Sequence, residues 1–234
     1  MNPRIGRWLK TTSTEYHKLS VAWGELQKEQ DELAQRVVIK ELPTSVKFIG
    51  GCDCSIREKI GFGVFVTLKW PELEEVECQH TSERFAIPYR SGFLGFREVP
   101  LLINAYYKLK SKPDLILVDG QGIAHPRRLG LASHLGVLIN KPTIGCAKSR
   151  LIGSFKIPGK RRGSYSALTD KGEKIGYVLR TRDNVRCLYI SPGHLVSFKE
   201  TIDWVIKLSP RYRLPEPIRR AHNYTQRLKM GDYD

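Results

Sequence analysis

The amino-acid sequence predicts an α/β domain built on a mixed sheet in the order βββαβαβ, flanked by helices and extended at its C-terminal end by further strands and helices. Three observations carry that reading. Val46–Ile56, Gly61–Lys69 and Leu73–Thr81 are β-type runs joined by short turns, which makes an antiparallel meander. Leu115–Asp119 and Thr143–Ala147 are short apolar runs bounded by turn residues, the pattern of strands buried on both faces. Helical stretches separate these later runs, so their strands must run parallel through crossovers.

Residues 1–20 show no clear periodicity and are expected to form an N-terminal arm. From Val21 to Lys40, Leu26, Leu33, Val37 and Val38 recur at helical spacing among charged neighbours, which predicts an amphipathic helix ended by Leu42-Pro43. The first strand, VKFIGGCDCSI, carries an acid at its centre. Trp70-Pro71-Glu72 is the turn between the second and third strands. A loop bearing Pro88-Tyr89-Arg90-Ser91-Gly92 leads into a helix over Phe96–Lys110, and a helix over Leu129–Ile139 lies between the two buried strands. Gly153–Asp170 reads as a loop containing the basic run Lys160-Arg161-Arg162. Strands at Ile175–Arg180 and Leu188–Ser191 and helices at Phe198–Leu208 and Glu216–Lys229 complete the chain. With no internal repeat or low-complexity tract, residues 1–234 read as a single domain.

The chain carries 39 Lys and Arg against 24 Asp and Glu, a net charge of +15, and its pI is near 9.7. That excess favours a polyanionic partner, nucleic acid first and an anionic membrane surface second. No apolar run approaches the length of a transmembrane helix, so no membrane span is expected. Met1–His17 is basic but lacks the apolar core of a secretory signal; a mitochondrial-type presequence is the alternative there. Five cysteines without a repeated CxxC spacing argue against a disulfide framework and suit a reducing, cytoplasmic interior.

Chemistry concentrates in PDLILVDGQGIAHPRRLG, from Pro113 to Gly130. Asp119 closes an apolar strand, and a carboxylate there must face a cleft, a metal or a basic partner. Gly120 and Gly122 let a ligand approach the main chain closely. With His125, Arg127 and Arg128 following, the stretch suits a phosphate ester. Two more acids interrupt apolar segments: Asp53, between Cys52 and Cys54, and Glu98, at the start of the helix after the tyrosine loop. If the first and fourth strands are neighbours, Asp53 and Asp119 converge on one point. Such oxygen ligands suit Mg²⁺ or Mn²⁺, which can polarise a phosphodiester and activate water. The alternative for each acid is a partner arginine or a turn cap.

The remaining polar residues each carry two readings. His125 is a proton shuttle, a phosphate contact or an orienter of water, against a turn histidine bonded to backbone. Lys148 places positive charge on the scissile phosphate, against an ordinary solvated lysine. Arg127 and Arg128 contact phosphates or pair with the acids. Tyr89 stacks on or wedges between bases, against a core-facing tyrosine. Cys52-x-Cys54 lacks a second cysteine pair for a zinc site. His194 reads as a helix-start histidine. His222 lies on the last helix among cations and could approach phosphate, within a general basic face over Arg211–Lys229.

At FREVP, LVDGQGIAHPRRLGLASHLG and PTIGCAKSRL, together with Gly51-x-Asp53 and PYRSGFLGFRE, the chain resembles the deoxyinosine 3′ endonucleases, the endonuclease V family. The resemblance runs from about Leu26 to Arg220. It implies an RNase H-like fold and Mg²⁺-dependent hydrolysis, with Mn²⁺ able to substitute. The bond implied is the second phosphodiester on the 3′ side of an inosine, leaving 3′-hydroxyl and 5′-phosphate ends. By position, Asp53 and Asp119 match the family's metal-binding acids and Glu98 its third catalytic acid. His125 and Lys148 match positions near the reacting phosphate, and Tyr89 the wedge that separates strands at the lesion. Gly120-Gln121-Gly122 falls where the flipped hypoxanthine base is held. Two departures stand out: Pro88-Tyr89-Arg90-Ser91 replaces the usual bacterial Pro-Tyr-Ile-Pro, and Gln121 replaces a frequent histidine.

The expected function is therefore inosine-specific, metal-dependent cleavage of DNA in repair of deaminated adenine, by a monomer. An inosine-specific endoribonuclease acting on edited RNA is the rival within the class, since Arg90 beside Tyr89 suits a flexible single strand. A catalytically silent nucleic-acid binder is the rival outside it.

Overall fold

The computed structural model describes residues 23–42, 45–84 and 88–231; the arm expected over residues 1–20 lies outside them, as does Pro43. Eight strands form one mixed sheet: β1 (Phe48–Arg57), β2 (Ile60–Lys69), β3 (Glu74–Arg84), β4 (Leu115–Val118), β5 (Thr143–Ala147), β6 (Tyr165–Asp170), β7 (Glu173–Leu179) and β8 (Leu188–His194). Their order across the sheet is β3-β2-β1-β4-β5-β8-β7-β6. The β1–β2–β3 meander is antiparallel, and β4 joins β1, then β5 joins β4, in parallel. The expected strand order and directions are thus observed, and so is the adjacency of the first and fourth strands. The last three strands return antiparallel on the far side of β5.

Helices α1 (Trp23–Ala34), α2 (Leu94–Lys108) and α3 (Leu131–Ile139) cover one face; α4 (Phe198–Lys207) and α5 (Glu216–Met230) cover the other. β4 shows why its sequence is uniformly apolar. Ile116 and Val118 pack with Leu102 and Leu135 on one side, while Leu115 and Leu117 pack with Val205 and Ile218 on the other. All four are 0% exposed. Burial of each such side chain contributes about 1.5–3 kcal/mol, so Leu117→Ala is expected to cost about 2–5 kcal/mol. No helix among the described residues is long and apolar enough to cross a membrane.

Three departures from the sequence reading have physical causes. The first helix ends at Ala34 rather than near Lys40. Beyond it the chain is captured by β8: the Val38 N–H donates to His194 Nδ1 at 3.2 Å, and the Leu195 N–H donates to the Val38 carbonyl at 2.7 Å. His194 is consequently a buried strand-end histidine and not a helix-start residue. β8 also runs through Pro192, which a register shift opposite Thr143/Ile144 accommodates. Within the supposed loop Gly153–Asp170 lies β6, an edge strand with little buried surface. Its signal was the hairpin Asp170-Lys171-Gly172-Glu173, where Lys171 and Gly172 both have positive φ, at 51° and 80°.

Candidate active site

Parallel pairing of β1 with β4 aligns Cys52 with Val118, so the next residue on each strand is an acid. β4 stops there, and the Asp119 N–H donates to the Cys52 carbonyl at 3.2 Å. Asp53 and Asp119 therefore stand side by side where the sheet opens, the usual place for ligands in sheets with parallel strands. α5 crosses beneath at Gly51. A Cβ on Gly51 would lie 2.2 Å from the Pro217 carbonyl carbon, so only glycine lets the helix approach this closely. That approach delivers two residues one turn apart. His222 Nδ1 is 2.8 Å from Asp53 Oδ2, and Thr225 Oγ1 donates to the same oxygen at 2.9 Å.

Donor atoms of Asp53, Asp119 and His222 lie within 4.8 Å of one another. Glu98, in the second turn of α2, lies near enough to Asp53 and Asp119 to feel their charge without joining the group at that distance. Burial, and then the neighbouring Asp53, push its carboxyl up to about 8; Asp119 adds to the rise, and Arg97 opposes it. Burial and Asp53 also raise Asp119, against the restraint of Lys148, whose Nζ lies 2.5 Å from Asp119 Oδ2. The raised carboxyls of Glu98 and Asp119 mark a place where negative charge is crowded and a cation would relieve it. Oxygen donors with one imidazole fit a hard divalent cation.

Asp119 and Lys148 also line a cavity of about 390 Å³, whose walls include Tyr89, Gly120, Gln121 and His125. Gln121 donates from Nε2 to the Ser149 carbonyl at 2.9 Å, while its Oε1 is buried without a protein partner. The Gly122 N–H donates to Ser191 Oγ at 2.9 Å, and a Cβ there would lie 2.1 Å from the Pro192 carbonyl oxygen, so the loop is fixed against β8. Tyr89 is 69% exposed at the cavity mouth, with the Arg97 guanidinium 5.8 Å from its ring. Burial first, then Arg127, depresses the His125 imidazole to about 4, so it is neutral at ordinary pH. It accepts from the Arg127 N–H through Nδ1 at 3.2 Å.

The two arginines are engaged within the protein. Arg127 Nε donates to Gln30 Oε1, its other guanidinium nitrogen donates to the Gly92 carbonyl at 3.1 Å, and the group stacks on Phe93. Arg128 pairs with Asp170 and Glu173 of the β6–β7 hairpin, at 2.9 and 2.8 Å, rather than with the site acids. Arg90 lies over the Trp23 ring at 4.7 Å. Sequence reasoning missed Thr225 and Arg213, whose guanidinium donates to the carbonyls of Cys187 at 2.9 Å and Lys148 at 3.3 Å and so braces the Lys148 segment. Neither carried a signal: one is an uncharged helix residue, the other one arginine in a basic run.

Paired acids on adjacent parallel strands, a third acid close by, a lysine on Asp119 and a cavity alongside fit the class of metal-dependent nucleases with the RNase H-like fold. The chain belongs to the endonuclease V family, whose model matches residues 31–223. It is 45% identical to the Endonuclease V of Dictyoglomus turgidum over 211 residues, which is 90% of this chain and 92% of that one. The crystal structure of the Streptomyces avermitilis Endonuclease V superposes with a TM-score of 0.85 at 35% identity, covering 90% of this chain and 94% of the other. A Ciona intestinalis Endonuclease V, in complex with a 24mer DNA containing an inosine followed by a ribo-adenosine, superposes at 0.77 with 28% identity over 89% of this chain and 98% of that one.

Proposed function

We propose that this protein is a DNA-repair endonuclease that recognises deoxyinosine and hydrolyses the second phosphodiester bond on its 3′ side, leaving 3′-hydroxyl and 5′-phosphate ends. The observation that carries the proposal is that Asp119 and Lys148 belong both to the acid cluster and to the cavity wall. A base held in the cavity leaves its own strand running past the carboxylates. The Ciona relative's inosine-containing DNA supports that choice of base. The charge of +15 suits the phosphate backbone. Five free cysteines suit the cytoplasm, and we take the protein to act as a monomer.

Asp53 and Asp119, with Glu98 and His222 beside them, are the residues that would hold Mg²⁺ or, in its place, Mn²⁺. Bound there, such a cation would supply Lewis-acid polarisation of the phosphodiester and would make water a better nucleophile. Thr225 and His222 fix the Asp53 carboxylate from one side. In the tautomer that donates from Nδ1 to Asp53, the His222 Nε2 is the free acceptor atom. Lys148 sets positive charge where charge builds on the phosphate. The Gly120-Gln121-Gly122 backbone and Gln121 present fixed polar groups to a flipped base, and Tyr89 fills the gap it leaves.

A ribonucleotide follows the inosine in the Ciona complex, which favours a second reading in which the substrate is inosine-containing RNA. One experiment tests both. Matched DNA and RNA strands with a single inosine, or adenine in its place, are cut with Mg²⁺ or with EDTA and resolved on a denaturing gel. Metal-dependent cutting of inosine-DNA supports the proposal; cutting of RNA alone moves the protein to edited-RNA turnover. Asp53→Ala and Asp119→Ala should abolish cleavage while strand binding remains measurable, and unchanged turnover in either removes the metal assignment.

A further inference from the structure

Gln30 lies on α1, remote in sequence from the site, and is 1% exposed. A buried side-chain amide needs partners for its donors and its acceptor. Gln30 finds them on two loops that line the cavity. Its Nε2 donates to the Gly92 carbonyl at 2.9 Å and reaches the Leu129 carbonyl at 3.4 Å, and its Oε1 accepts from Arg127 Nε. Arg127 completes the tie, donating to the same Gly92 carbonyl and stacking on Phe93 at 4.5 Å. Gly92, with φ at 79°, sits three residues beyond Tyr89. His125, Arg127 and Leu129 follow the Gly120-Gln121-Gly122 segment. Trp23, on the same helix as Gln30, also underlies Arg90, so α1 grips the tyrosine loop at two points.

We infer that Gln30 is a positioning residue for base selection: with Arg127 it clamps the Tyr89 loop to the loop that follows Gly122, and so sets the width of the base cavity. This rests on the reading of that cavity as the inosine pocket. Hypoxanthine and adenine differ by an oxygen in place of an amino group, so little size difference separates them. Discrimination then depends on polar groups held to within about 0.5 Å, and a pocket that can widen loses it.

Gln30→Met keeps the side-chain volume and removes the amide. Gln30→Glu keeps an acceptor for Arg127 and removes the donors to Gly92 and Leu129. For both variants, amide hydrogen exchange is followed in residues 88–93 and 125–130, and cleavage of inosine and adenine strands is compared. We expect faster exchange in both segments, most in Gln30→Met. KM on the inosine strand should rise roughly tenfold, discrimination against adenine should fall by a similar factor, and kcat should change less than KM. Unchanged exchange, or loosened loops with discrimination retained, overturns the inference. If the wild-type protein shows no preference for inosine, the functional reading fails instead, and the exchange measurement alone decides whether Gln30 couples the loops.

Discussion

Asp53 and His222, 169 residues apart in the chain, meet at 2.8 Å between Oδ2 and Nδ1. Thr225 donates to the same carboxylate oxygen, so one strand acid is oriented by two residues of the last helix. The candidate metal-binding end of β1 therefore takes this form only when α5 has docked over Gly51.

From this follows the first prediction. His222→Ala and Thr225→Val should each weaken metal-dependent cleavage by about 10–100-fold, the usual effect of removing a group that orients a ligand carboxylate. The signature is a metal titration whose midpoint moves to higher concentration, by more for His222→Ala than for Thr225→Val. A titration unchanged in both variants would mean that α5 does not orient Asp53 for metal.

Lys148 makes a different contribution. Its ammonium stands at 2.5 Å from Asp119 Oδ2 on the cavity side. Lys148→Met removes the charge at nearly constant length, and should lower single-turnover cleavage by about 10²–10³-fold. Because this side chain is exposed, the melting temperature should hardly change. A fall in melting temperature that matches the loss of activity would show the lysine to be a structural partner of Asp119.

Tyr89→Ala tests the cavity mouth. An exposed ring with an arginine beside it contributes little to folding, within about 0.5 kcal/mol, but base–aromatic stacking is worth about 1–3 kcal/mol. The variant should retain full stability and lose roughly tenfold or more in the ratio of inosine to adenine cleavage. Equal losses on both substrates would argue against a wedge.

Much of this was legible in the sequence, and the reasons are physical. Asp119 at the end of a run buried on both faces, and Asp53 inside another, announce themselves because carboxylates do not belong there unless something requires them. The crossovers that helices impose made β1 and β4 parallel, and their adjacency brought the acids together. His222 read as a phosphate contact on a basic helix and not as a partner of Asp53, since nothing local reveals that Gly51 lets that helix touch β1. β6 lacked buried alternation because it is an edge strand, so only its hairpin turn marked it. Gln30 carried no signal: a buried glutamine on a charged helix looks like its solvated neighbours.

The last prediction concerns acid. Burial holds the His134 imidazole down at about 3; burial, then Arg36 and Lys40, hold His194 at about 4, both below the ordinary 6.5. Between about pH 6.5 and pH 4 these imidazoles, with His125 beside them at about 4, thus take up protons in the unfolded chain that the folded chain refuses. Their contribution to stability is full above that window and is lost as pH falls through it, while the raised carboxyl of Glu98 works in the opposite sense. A tenfold difference in proton affinity between the two states corresponds to about 1.4 kcal/mol, enough to lower the urea midpoint visibly between about pH 7 and pH 5. His194→Asn keeps an acceptor near Nδ1 for the Val38 N–H while removing the titration, and should flatten the decline. A wild-type midpoint that is constant across the window, or an equally steep decline in His194→Asn, would show that these imidazoles do not govern acid stability.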